Sequence, residues 1–157
     1  MRTALPLVVL LLLAVGAARA AAAEFVRVWP SWRSAESFER IGEYFGRGEV
    51  PAGQIVVRTR PETRAGYYFL VRVKHPAALA GARFVVDVIR PDAPDAKTFS
   101  FPAAVPAGES VFQLGLTGAD WPGGEKAQPV AWRLVLLAAD GRPLAEHKSF
   151  LWEKPAK

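Results

Sequence analysis

Cysteine is absent from this chain of 157 residues, and so is asparagine. The first absence excludes disulfides, although an oxidising compartment would permit them, and it sets aside a lipid-modified N-terminal cysteine. The second leaves no N-glycosylation acceptor. Histidine is scarce: His75 and His147 stand seventy-two positions apart, with no HExxH pattern between them. That is poor material for zinc, and no metal or other cofactor is expected. Asp92, Asp95 and Asp120 lack the dense alternation of a calcium loop and read as turn formers.

Catalytic and phosphate-binding motifs are missing too. Ser110 follows Gly108-Glu109, without GxSxG spacing. No GxGxxG or GxxxxGK[ST] pattern occurs, so a phosphate cradle is unsupported. An enzyme is therefore not expected, although two carboxylates can always meet in space.

Only one apolar stretch is long. Residues 5–18, LPLVVLLLLAVGAA, follow Arg2 and precede Ala18-Arg19-Ala20, the three-part pattern of a secretory signal. It falls short of the roughly 20 residues that a membrane-spanning helix needs. Cleavage is expected after Ala20, or as late as Ala23, leaving no transmembrane segment. Losing Arg2 and Arg19 takes Lys+Arg from 20 to 18 against 15 acids, a net charge of +3. Such an excess draws the domain weakly toward anionic surfaces. Arginine outnumbers lysine fourteen to six and alanine is abundant, which points to a bacterial, periplasmic or secreted protein. Nucleic acid is not an expected partner outside the cytoplasm.

The remainder is one domain's worth of chain, 24–153, with 154–157 as a frayed end. Apolar-polar alternation, broken by Pro, Gly and Asp clusters, predicts strands near 25–29, 54–60, 67–75, 83–90, 98–102, 110–116, 131–138 and 144–152. One segment departs from period two. Phe38, Ile41 and Phe45 within residues 34–48 share one side of a short amphipathic helix, with Ser34 as N-cap and Gly46 as stop.

Asp140-Gly141 predicts a two-residue type I′ hairpin whose paired residue numbers sum to 281. Trp132, Leu134 and Leu136 then oppose Ser149, His147 and Ala145 on the core face. A slip by one would place Glu146 and Lys148 against Leu136 and Leu134, burying charge at a cost of several kcal/mol. The favoured register leaves Phe150 and Trp152 outward.

The pattern is all-β. It resembles the immunoglobulin and fibronectin type III class of antiparallel β-sandwich, with about 7–8 strands and one short helix near the N-terminus. The Cys–Trp–Cys arrangement of antibody domains is missing. The resemblance implies a fold and no particular activity, because such sandwiches carry many functions.

Two candidate surfaces follow. In and beside VVRTRPETRAGYYFLVRV, residues 56–73, alternation sends Ile55, Val57, Tyr67, Phe69, Val71 and Val73 inward. Arg58, Arg60, Tyr68, Arg72 and Lys74 go outward. If residues 60–67 close a hairpin within one sheet, these five form a basic wall with an aromatic beside it, fit for an anionic or protein partner. If the chain crosses to the second sheet, the charges separate. The other candidate is an aromatic platform drawn from Trp29, Trp32, Trp121, Phe150 and Trp152, suited to polysaccharide if the rings are exposed and coplanar. The primary expectation is a non-catalytic interaction module that uses the basic face or a strand edge to hold a protein or anionic envelope component. Carbohydrate binding is the alternative.

Overall fold

The computed structural model describes residues 22–38 and 53–153. The expected signal segment, the later positions of the expected helix (Ile41, Phe45 and Gly46) and the C-terminal 154–157 lie outside them. Eight strands run in chain order: β1 Glu24–Arg33, β2 Gln54–Arg58, β3 Gly66–His75, β4 Leu79–Arg90, β5 Ala93–Val105, β6 Gly108–Thr117, β7 Ala131–Leu137 and β8 Pro143–Lys148. They form two four-stranded sheets, ordered β1-β3-β6-β2 and β5-β4-β7-β8.

All pairings are antiparallel except β2 with β6, which is parallel. The architecture is a β-sandwich compatible with the immunoglobulin-like class in general. Among the described residues no helix is long and apolar enough to cross a membrane.

Every second side chain enters the space between the layers, as the two-residue period of a strand requires. From the first sheet come Tyr67, Phe69, Val71 and Val73, with Phe112, Leu114 and Leu116; from the second come Phe84, Val86 and Val88, with Phe101, Trp132, Leu134 and Leu136. Ile55 and Val57 pack against this core from the β2 edge, and Ala23, just before β1, joins it. Rings interlock: Phe69 meets Trp132 edge-on at 5.3 Å, and Phe84 meets Phe112 at 4.9 Å.

The β7–β8 register follows the charge argument. Leu134 faces His147 and Leu136 faces Ala145, while Val135 takes Glu146 on the outward side. The turn itself differs from the expected type I′. Asp140 keeps a negative φ and Gly141 alone is left-handed, at φ 85°. The Gly141 amide donates to the Ala138 carbonyl at 2.9 Å, and the Ala138 amide donates to the Arg142 carbonyl at 2.9 Å. This is a three-residue loop with a glycine bulge, and it explains why Leu137 pairs one position off, with Pro143. The last expected strand is also shorter. After Lys148 the chain tightens into a 3₁₀ turn, Phe150–Glu153.

The segment 60–67 does not close a hairpin. β3 pairs with β6 and β1, and β2 lies on the far side of β6. The parallel pairing is possible because β3, β4 and β5 intervene in the chain between β2 and β6, far more than the dozen or so residues a parallel connection needs.

Candidate functional site

The outward wall of the first sheet is laid out in rows by its register. One row reads Ser31, Tyr68, Gly115, Arg58; the next Trp29, Leu70, Gln113, Val56; the third Arg27, Arg72, Val111, Gln54. Gly115 is the opening through which the first row is built. A Cβ there would stand 2.4 Å from Tyr68 Cε1, so only glycine lets the tyrosine ring lie across β6. The ring reaches Arg58, whose Nε donates to the Tyr68 hydroxyl at 2.8 Å, and the hydroxyl in turn donates to the Arg64 carbonyl at 2.5 Å.

Phe38 caps this arrangement. At residues 36–38 the chain takes a helical turn, with the Phe38 amide donating to the Ala35 carbonyl at 3.1 Å. The Phe38 ring comes to rest 5.0 Å from that of Tyr68, and both are buried, each 1% exposed. Two guanidiniums flank the Phe38 ring, Arg33 at 4.5 Å and Arg58 at 4.8 Å from its centroid. Arg33 also donates from Nη1 to Gln113 Oε1 at 2.5 Å, and Gln113 Nε2 donates to Gln54 Oε1 at 2.6 Å. Partial burial pushes the Arg33 guanidinium below its ordinary range, opposed by the nearby Tyr68 oxygen.

Beside this cluster lies a cavity of about 150 Å³, lined by Trp29, Ser31, Arg33, Tyr68 and Leu70. Trp29 is its open wall, 55% exposed, with the Arg27 guanidinium 4.3 Å from the ring centroid. A broader groove of about 490 Å³ over β4 and β5 is lined by Gly81, Ala82, Arg83, Pro102, Ala103 and Ala104, with no aromatic anchor.

The five basic-wall candidates divide. Arg58, Tyr68, Arg72 and Lys74 share the outward side of one sheet, because β2 and β3 both flank β6. Arg58 is half-buried against Phe38, and Tyr68 lies beneath that same ring. Arg72 lies 3.4 Å from Glu109, and Lys74 pairs in register with Glu24 and Glu109. Arg60 lies beyond the end of β2, where its Nε donates to Asp120 Oδ2 at 3.1 Å. Arg58, Arg60 and Arg72 therefore each meet a different neighbour, and Arg60 stands apart from the other candidates.

The aromatic candidates do not converge either. Trp29 stands on the wall of the first sheet. Trp32 packs against the core, and Trp121 is buried with its ring 4.7 Å from that of Tyr67. Trp152 lies over the Arg133 guanidinium on the outside of the second sheet, and Phe150 beside it in sequence is 74% exposed. Trp29 and the Phe150–Trp152 pair thus occupy opposite walls, which rules out one coplanar platform.

Arg27, Ser31, Arg33, Gln54 and Gln113 belong to the site and were not singled out from the sequence. Pro30 ended the expected strand at residue 29, yet Arg27, Trp29, Ser31 and Arg33 alternate with Val28, Pro30 and Trp32 in strict period two. That alternation was the available signal. Among the described residues no three histidine or carboxylate side chains converge as metal ligands would. Compared with known proteins, the chain matches no family model and no curated sequence.

Proposed function

We propose that this chain is an exported, non-catalytic binding domain that recognises a protein partner through the outer wall of its first sheet, around Trp29. One observation carries the reading: a half-exposed tryptophan stands over a preformed cavity whose other walls are Tyr68, Leu70 and Arg33. Tryptophan, tyrosine and arginine are the residue types on which binding energy at protein interfaces concentrates. The buried Phe38–Tyr68 packing and the Gln113 bonds hold the cavity's floor and one wall in place before any partner arrives, which reduces the entropy lost on binding.

The sheet edges support this choice by being poor templates. β1 carries Pro30 and a bulge between Phe25 and Arg27; β2 has five residues; β5 contains Pro94 and Pro102; β8 begins at Pro143 and spans six residues. Proline, bulges and short strands all discourage pairing with another chain's backbone. The strand order also favours an immunoglobulin-like reading. With β2 set aside, β1-β3-β6 facing β5-β4-β7-β8 corresponds to strands A-B-E facing C′-C-F-G. The apolar leader with its small-residue cleavage pattern favours export, into the periplasm or beyond.

The reading is tested by photo-crosslinking in the envelope of the exporting cell. A photoreactive residue at Val26, exposed on β1, should yield a discrete protein adduct that Trp29→Ala removes. The same residue at Val130, equally exposed on β7's approach, should yield none. An adduct indifferent to Trp29→Ala, or formed only from Val130, would refute the assignment.

A further inference from the structure

Two guanidiniums border this cavity, Arg27 over the Trp29 ring and Arg33 on the wall, and neither meets a carboxylate among the described residues. Four arginines of the described residues are matched to carboxylates: Arg60 with Asp120, Arg72 with Glu109, Arg90 with Asp92 and Arg133 with Asp87. Among the described residues Arg27 meets the Trp29 ring, and Arg33 meets Phe38 and Gln113. Among the described residues no carboxylate lies within ion-pair distance of either. Arg33 commits one N–H to Gln113 and lines the cavity beside Ser31. A guanidinium has five N–H donors in a fixed fork suited to a carboxylate, so unused capacity remains at the cavity wall.

We propose that this cavity takes a single acidic side chain, aspartate or glutamate, from a partner protein. Its carboxylate would lie on Arg33 and its methylenes between Trp29 and Leu70. The assignment rests on the wall being the interface, as argued above. Size agrees: about 150 Å³ holds one short side chain, given that a water in the liquid occupies about 30 Å³. Chemistry agrees as well. A sugar ring would bring several hydroxyls against Leu70 and the tyrosine ring, where, among the described lining residues, Ser31 and Arg33 alone could satisfy them. A carboxylate needs one guanidinium. Arg33 has already lost part of its hydration in the free protein, so an arriving anion gains charge attraction with less further dehydration of the cation.

The test is an NMR titration of the full mature chain, following the Trp29 indole N–H and the Arg33 Nε–H. The probes are the blocked peptide acetyl-Gly-Glu-Gly-amide, its glutamine counterpart, and glucuronate. The glutamate peptide should shift both signals saturably, with the glutamine peptide weaker by about tenfold or more, as loss of a charge-assisted bond implies. Arg33→Lys should retain binding within a few-fold, and Arg33→Met should lose it. Equal binding of the glutamate and glutamine peptides overturns the proposal without recourse to any variant. Tighter binding of glucuronate than of the glutamate peptide overturns it in favour of an anionic polysaccharide. A Val26 crosslink that survives Arg33→Met yet disappears in Trp29→Ala would keep the wall as interface and overturn the carboxylate alone.

Discussion

Tyr68 owes its position to an atom its neighbour lacks. The ring occupies the space that a Cβ on Gly115 would take, and from there it joins Arg58, Arg64 and Phe38. Gly115→Ala should therefore cost about 1–3 kcal/mol by overpacking. In a Tyr68→Leu background the same change should cost far less, because the obstructing ring is gone. Denaturant unfolding of the four proteins measures this, and an equal cost in both backgrounds would remove the steric explanation. Tyr67, one position back, points inward, and its hydroxyl donates to Gln128 Oε1 at 2.9 Å. Burial raises its pKa above the ordinary tyrosine value of about 10. The stability this confers is complete below that ordinary value and is lost as pH climbs through the folded value. Wild type should thus lose more stability than Tyr67→Phe as pH rises above about 10. Parallel stability curves for the two would contradict the burial argument.

At the scale of the element, the strands were readable wherever period two and charge agreed. Glu146 and Lys148 fixed the β7–β8 register, because the alternative would bury them. The turn type was not readable, since Asp-Gly serves both a two-residue turn and a type I turn with a glycine bulge. Prolines misled in the opposite direction. Pro30 and Pro102 look like strand ends, yet both sit inside continuous ladders, paired with Phe69 and Arg83. An edge strand tolerates proline when the missing N–H would face solvent, so the neighbours of both strands keep their bonds. These prolines then guard two edges against association. Pro30→Val with Pro102→Thr should restore an outward donor on each edge and raise the oligomeric fraction in sedimentation velocity, with the monomer's melting temperature changed little. A variant that stays monomeric at millimolar concentration would show that the edges are protected by other means.

For the whole molecule, the two-layer body follows from alternation, and the placement of β2 beyond β6 does not. Adjacent runs at 54–60 and 67–75 invite a hairpin, and nothing local in the sequence says that β6 will insert between them. That insertion leaves Arg58 and Arg72 on one wall yet two strands apart, each with its own neighbour. It also moves the interest of the wall to β1, where the Arg27 guanidinium lies over Trp29 and Arg33 lines the adjoining cavity. The direct measurement is collisional quenching of tryptophan fluorescence by iodide and by caesium at matched ionic strength, in wild type and Trp29→Phe. The predicted result is that iodide quenches wild type more strongly than caesium, and that Trp29→Phe loses most of the iodide-accessible emission. Caesium quenching as strong as iodide, or an accessible fraction unchanged by Trp29→Phe, would contradict an exposed tryptophan beneath the Arg27 guanidinium.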